Sequence, residues 1–528
     1  MNQMQGRCTS TLYNPPRMVR ALVCSHHITM DTNTYMLPNL IALLFFFLAT
    51  ASLLAKRQHG AGILRKLAVA ARRRASGEQG TRRRGLSIQV TDRAAAHRAL
   101  VRQSAAFLNR PTPVVPSSIL SQNRHYNILA ARYGPYWRAV RRNLVAGVLS
   151  PSSGLARIGD LHTRVLRDLV RALGSGAPAG EALHFTAYSI AAEMCFGEDV
   201  VSGVGEAKLR AMEKFQWDLL LALPSFIVFG RYPKIVRLLF PARWRRLLAF
   251  RRHQEETYLP LVAEVRNRTT AGRHGGTSPA TYVETLLDVR VPEEGDRSLT
   301  DGEIVSLMSE FLGVATETTA ASLQWTMANL VKHPEIQEKL RREVDASAAA
   351  GERRRAVVEE GDLSRMPYLR AVVLESLRRH PPIPFVLRDV HGGEEAAEVL
   401  GVPRLPDGGV TVNFLVSKMG RDPEVWPEPM AFSPERFMAG GEGEGVDLAC
   451  TREVRMMPFG AGRRACPGMA LAMLHLEYLV ANLVREFEWL EVDGDGVDLA
   501  EFHAVILTVL KKPLRARLVP RRSTTAAN

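Results

Sequence analysis

Two stretches stand out in the alternation of apolar and polar positions. Met36 to Ala55, MLPNLIALLFFFLATASLLA, runs some twenty residues without a charge, and as a helix it would cross ~30 Å of hydrocarbon. It predicts a transmembrane anchor, with a cleaved signal peptide as the alternative; the run is long for a signal core, and no small-x-small site clearly ends it. The second stretch opens with Thr300-Asp301-Gly302-Glu303, a capping box, and keeps an apolar period to His333, before Pro334. At ~1.5 Å per residue this predicts a helix of roughly 50 Å, long enough to cross a whole domain.

Around these the pattern is mostly helical. GLSIQVTDRAAAHRALV reads as a strand and then a helix with Asp92 as N-cap, and a helix follows Tyr133. Residues 151 to 290 are helical by period, broken at Gly174-Ser175-Gly176 and at Thr269 to Ser278. Within them, residues 215 to 230, FQWDLLLALPSFIVFG, are apolar enough for a channel lid, a second membrane contact or a buried helix pair. VTVNFLVSKMGRDPEVWPEP reads as strand, short helix and meander, and MALAMLHLEYLVANLVREFEW as a helix starting at about Pro467. Short strands near Phe502 to Leu507 close the chain, with residues 503 to 507 on the substrate side. The expected fold class is mainly α with small β-sheets (α+β). The expected segments are an irregular extension (1–35), the anchor (36–55), a basic linker (56–84), one catalytic domain (85–518) and a tail (519–528).

Composition narrows this picture. A chain of 528 residues with 46% hydrophobic content can bury a large core. Its net charge of +15 would suit nucleic acid, an anionic membrane or an acidic protein. No nucleic-acid-binding motif is present, and the arginine runs Arg72 to Arg74 and Arg82 to Arg84 follow the apolar segment. Membrane proximity is the simpler account. Basic residues after the segment outnumber those before it, which places the bulk of the chain in the cytosol and leaves the sequon at Asn267 unmodified. Five scattered cysteines, Cys8, Cys24, Cys195, Cys450 and Cys466, form no C-x-x-C pair, and this argues for a reducing compartment.

The candidate chemistry centres on FGAGRRACPG, Phe459 to Gly468. Gly460, Gly462 and Gly468 permit positive φ or close approach to a flat partner. Cys466 stands at a helix start beside Arg463 and Arg464, a setting expected to lower a thiol pKa. Such a thiolate attacks an electrophile or binds a metal; a small buried apolar residue is the alternative. In YGPYWRAVRRNL, Trp137 and Arg141 share a helix face, where both could address a carboxylate or simply pack and solvate. Gly313-Val314-Ala315-Thr316-Glu317-Thr318-Thr319 is polar in mid-helix. It fits either a proton relay or a Thr bonded to its own i−4 carbonyl. Glu375 and Arg378 sit at i and i+3, a spacing that carries no signal by itself.

The spacing Phe-x-x-Gly-x-Arg-x-Cys-x-Gly resembles the haem-binding loop of the cytochromes P450. Over about residues 85 to 517 the wording is similar to the plant family 89, A-type, in SLQWTMANLVKHPEIQEKL, PMAFSPERF and LHLEYLVANLV. The resemblance implies that Cys466 is the axial ligand of haem b iron, Phe459 packs against the thiolate and Gly468 lies at the cofactor. Arg464, Trp137 and Arg141 would hold its propionates, with Arg388 as a further candidate. Glu317 and Thr318 would deliver protons to dioxygen. Glu375, Arg378 and Arg436, the last from FSPERF, would form a structural network. Val314 and Ala315 depart from the family's small residues, and the family's proline-rich hinge is missing after the anchor. The implied function is a monooxygenase of the endoplasmic reticulum membrane. It would use O2, a small apolar or amphipathic substrate and electrons from NADPH-cytochrome P450 reductase, docked near Arg138, Arg142 and Arg463. A haem-thiolate protein of the same fold without O2-dependent activity is the alternative.

Overall fold

In the computed structural model, the described residues are 87–111, 115–120, 127–129, 131–149, 151–230, 233–270, 280–291, 294–349, 357–406 and 408–521. The extension, the anchor at 36–55 and the basic linker lie outside them. No helix of the described residues is long and apolar enough to cross a membrane.

Strand β1 (Ser87–Val90) leads into α1 (Arg93–His97), whose N-cap Asp92 accepts the Ala95 N–H. The principal helices that follow are α2 (Pro135–Gly147), α3 (Pro151–Gly174), α4 (Ala179–Phe196), α5 (Glu206–Phe226), α6 (Pro241–Thr270) and α7 (Tyr282–Leu287). Next comes α8 (Asp301–Lys332), with both reciprocal bonds of the capping box formed between Thr300 and Glu303. The chain continues through α9 (Pro334–Ala349) and α10 (Pro367–Arg379) to β2 (Val386–Val390) and β3 (Val410–Phe414). It closes with α11 (Met469–Glu486), β4 (Phe487–Leu490), β5 (Glu501–Ala504), β6 (Leu507–Leu510) and β7 (Arg517–Pro520).

Helix α8 is buried nearly all round, so apolar side chains cover most of its circumference. Trp325, on α8, is fully buried, donates to the Thr508 carbonyl at 3.0 Å and stacks on His380 with ring centroids 3.8 Å apart. These contacts tie the helix to the β5–β6 hairpin and to the end of α10. A three-stranded sheet runs β1-β3-β2, with β1 parallel and β2 antiparallel to β3. Its own cluster, which includes Ala99, Leu100, Val412, Phe414, Met457 and Ala461, joins the sheet to the loop before α11.

The apolar run at 215–230 ends α5 and passes into a turn whose Phe226 and Phe229 are buried with Ile119, Ala222 and Leu247. Ile227 between them is half exposed. Helix α11 starts at Met469, two residues after the expected Pro467, because Pro467 and Gly468 complete the preceding turn.

Candidate functional site

The Phe459–Gly468 loop is shaped by two left-handed glycines, Gly460 and Gly462, each at φ +69°. A Cβ on Gly462 would lie 1.8 Å from the Leu100 carbonyl oxygen, so only glycine lets the loop seat on the turn after α1. The Cys466 N–H donates to the Phe459 carbonyl at 2.8 Å and closes the loop. Cys466 is exposed, yet burial is the leading cause of a raised thiol pKa.

The expectation of a lowered pKa is therefore corrected. The groups that pull the thiol down are the Gly468 N–H, Arg141 and Arg110, and burial outweighs them. Arg463 stands over the Tyr133 ring instead, 5.9 Å from its centroid, and Arg464 is committed to backbone carbonyls. A metal ion at the sulfur would deprotonate it outright.

Beside the loop, α2 and the segment before it converge. Arg464 donates to the carbonyls of Leu108, Ile128 and Ala131 at 3.0, 3.2 and 2.7 Å. Its guanidinium stands 4.4 Å over the Trp137 ring and that of Arg141 5.2 Å. Trp137 Nε1 donates to Ile128 O at 3.1 Å, and Arg141 to Ala465 O at 2.6 Å. Sequence reasoning did not name Arg110, which donates to the Arg464 carbonyl at 3.2 Å. It stands in a non-periodic turn, where nothing local marks it.

These arginines disfavour one another's charge. Burial lowers Arg110, Arg388 and Arg464, and each is lowered further by neighbouring guanidiniums; Arg464 falls to about 10. Arg388 is buried with its Nε unpartnered. Buried like charges with an orphaned donor are stable beside an anion, and a dianionic ligand edge fits this donor set. A haem with its propionates here and its iron at Cys466 agrees with the residues present.

Helix α8 supplies a second wall. Val314 is 44% exposed in mid-helix, while Leu312, Thr316 and Ala320 are buried. Glu310, Phe311, Gly313, Ala315 and Thr318 are half-buried, so the accessible stripe follows one helix face. The Thr318 hydroxyl donates to the Val314 carbonyl at 2.8 Å. Glu317 is buried and turned toward α4 and α5. There its Oε2 meets His184 Nε2 at 3.2 Å, and His184 Nδ1 meets Glu213 at 2.5 Å. Although burial disfavours its charge, hydrogen bonds to both carboxylates push His184 up to about 10. The other Glu317 oxygen is buried without a partner. Glu317 and Thr318, adjacent in sequence, thus engage different partners.

Behind the loop, Glu375 and Arg378 are fully buried and joined at 2.6 and 2.8 Å, and Arg436 Nε approaches Glu375 at 3.4 Å. The structure brings these three together.

The profile of the family described as "Cytochrome P450" matches residues 86–518. The chain belongs to the cytochrome P450 family. Its class is that of the haem-thiolate monooxygenases. It is 41% identical to cytochrome P450 89A9 of Arabidopsis thaliana over 83% of this chain and 84% of the relative. To cytochrome P450 78A1 of Zea mays it is 32% identical, over 74% and 70%. To flavonoid 3'-monooxygenase of Arabidopsis thaliana it is 37% identical, over 45% and 46%. A zebra fish cytochrome P450 solved with abiraterone shares the fold, with a TM-score of 0.63 at 20% identity over 83% of this chain and 94% of that one.

Proposed function

We propose that this cytochrome P450 inserts one oxygen atom of O2 into a small apolar or amphipathic plant metabolite. The observation that carries this reading is an exposed cysteine, Cys466, on a glycine-shaped loop beside the guanidinium cluster of Arg110, Arg141, Arg388 and Arg464, in which Arg388 Nε is buried and unpartnered. Cys466 would hold the iron of a haem b through its thiolate, and Arg110, Arg141, Arg388, Arg464 and Trp137 are the residues that would receive its carboxylates. When bound, the haem supplies dioxygen activation, helped by the electron-rich thiolate. The chain's own contribution is to hold Cys466 by the Phe459 carbonyl and the Gly468 N–H, to present an apolar stripe to substrate, and to move protons. In this reading Glu317 and Thr318 deliver protons from α8, each proton that leaves the Thr318 hydroxyl being replaced by one supplied through Glu317. Residues 36–55 anchor the chain in the endoplasmic reticulum membrane, and the basic surface at Arg138, Arg142 and Arg463 receives electrons from an NADPH-dependent flavoprotein reductase.

A second reading has its own support. Thr318 is bonded to Val314 and Glu317 to His184, and such a pair suits an enzyme of the same fold that works without O2-dependent oxygen insertion. Membranes carrying the enzyme and a reductase separate the two: NADPH- and O2-dependent product formation from a plant metabolite extract supports the monooxygenase, and consumption of peroxide alone refutes it. Under the first reading, Thr318→Ala keeps the haem but diverts electrons to peroxide. An unchanged product yield per NADPH would remove Thr318 from the relay.

A further inference from the structure

Three helices bring two carboxylates to the two nitrogens of one imidazole. His184 of α4 meets Glu317 Oε2 of α8 through Nε2 at 3.2 Å and Glu213 Oε1 of α5 through Nδ1 at 2.5 Å. All three side chains are largely buried. A neutral imidazole has a single N–H, so only the imidazolium donates to both carboxylates at once. Nothing on α8 itself competes for Glu317: the neighbouring Thr318 spends its hydroxyl on the Val314 carbonyl, and Glu317 Oε1 is buried without a partner. We propose that His184 is a positioning residue for oxygen insertion, a cation that fixes the Glu317 carboxylate by Oε2 and leaves Oε1 free to supply protons, with Glu213 as the counter-charge that keeps His184 cationic. The proposal rests on the reading that Glu317 supplies protons from α8.

The charge on His184 makes the grip. A neutral ring that keeps its N–H on Glu213, the shorter contact, turns a lone pair toward Glu317 Oε2; two acceptors then face each other, and the carboxylate is released. Burial favours that neutral ring, but the two carboxylates outweigh it and push His184 up to about 10. The groups that act on His184 are Glu213 from α5 and Glu317 from α8. Tyr188, one turn along α4, is raised well above its ordinary range by burial and stays neutral. Arg210 of α5 is engaged over the Phe185 ring at 3.8 Å and by Glu206 at 2.8 Å, and Lys214 pairs with Asp218 at 2.6 Å. The grip is present below the His184 midpoint and lost as pH rises through it. Removing Glu213 brings that midpoint down toward neutral pH.

The test uses the full-length, haem-loaded protein in membranes with a reductase. One arm follows deuterium exchange at the His184 ring C2–H against pH by mass spectrometry, which reports the ring's titration without haem chemistry. Wild type should titrate near about 10, and Glu213→Gln ~1–3 pH units lower, the effect of one close opposite charge. The other arm measures hydrogen peroxide released per NADPH oxidised, from about pH 7 to about pH 9, with a plant metabolite extract as the source of substrate. Wild type should hold a low, level ratio. Glu213→Gln should match it at the acid end and rise as pH passes its own His184 midpoint, the gripped fraction falling about tenfold one pH unit beyond. His184→Gln, without a cation at any pH, should release peroxide across the whole range. A purely structural role for His184 would lower haem yield without displacing the pH profile. A wild-type midpoint near the ordinary ~6.5 overturns the proposal. So does a Glu213→Gln peroxide profile that overlays wild type although its midpoint has fallen, or a His184→Gln protein as well coupled as wild type. If Glu213→Gln does not assemble, the wild-type midpoint and the His184→Gln ratio decide. A wild type that sends all its electrons to peroxide at every pH refutes the oxygenase reading, while the exchange arm still decides whether the two carboxylates hold His184 as a cation.

Discussion

Replacing Glu375 by Ala isolates what a buried charge network contributes here. Glu375 accepts from Arg378 Nε and Nη2 at 2.6 and 2.8 Å and from the Ser433 N–H at 2.9 Å, with Arg436 Nε at 3.4 Å. Glu375 and Arg378 are inaccessible to solvent, and Arg436 nearly so. Removing the carboxylate leaves two buried guanidiniums without this counter-charge, at ~3–5 kcal/mol for a broken buried pair. The orphaned Ser433 N–H costs about 1–3 kcal/mol more. A loss of ~4–8 kcal/mol is a large part of the ~5–15 kcal/mol available to a folded protein. For a domain of about 430 residues it lowers Tm by ~4–9 °C, at ~2.1 cal/mol/K per residue. Far-UV circular dichroism melting at one scan rate measures this, with haem per protein as the second readout. Because the network is buried, salt up to ~1 M should restore little. Glu375→Gln, which keeps an acceptor for Ser433, should fall between. A Glu375→Ala protein melting within ~2 °C of wild type would show that the network carries little of the stability argued above.

Cys466→Ala should abolish the reduced carbon-monoxide band near ~450 nm; retention of that band would remove Cys466 as axial ligand. Gly462→Ala should prevent the loop from seating, since its Cβ meets the Leu100 oxygen at 1.8 Å at a φ of +69°. Gly159→Ala, in α3 with nothing within 4 Å of its Cβ, should fold normally. Equal haem yields from these two variants would refute the steric argument. Glu310 also links stability to pH. Its native pKa of about 7 lies above its unfolded value, so the native state holds the extra proton between them, and stability is lost as pH rises through about 7. The span amounts to ~3 kcal/mol. The melting temperature of wild type minus that of Glu310→Gln should therefore shrink from about pH 5 to about pH 8, and a constant difference would contradict the raised carboxyl.

The legible parts of this protein are those whose partners lie within one helical turn or one loop. The Thr300 capping box, the Asp92 cap, the Glu375–Arg378 pair and the glycine-shaped cysteine loop all close over three to seven residues. Arg436 joined the network only through its resemblance to a known motif. Arg110 was missed because no periodicity marks a turn residue, and its neighbour Arg464 is hundreds of positions away. Glu310 reads as one polar residue in a long helix until the amides of Ile128 and Leu129 arrive. The Glu317–His184–Glu213 set is likewise assembled from three helices.

The sequence by itself determined the helical class, the long helix, the cysteine loop and the family, because apolar period, caps and motif spacing are local. Tertiary structure decided the electrostatics: which arginines face Cys466, that burial raises rather than lowers its thiol pKa, and where Glu317 turns. Charge interactions and desolvation depend on distances through space and on what displaces water. Neither quantity is written in the order of residues along the chain.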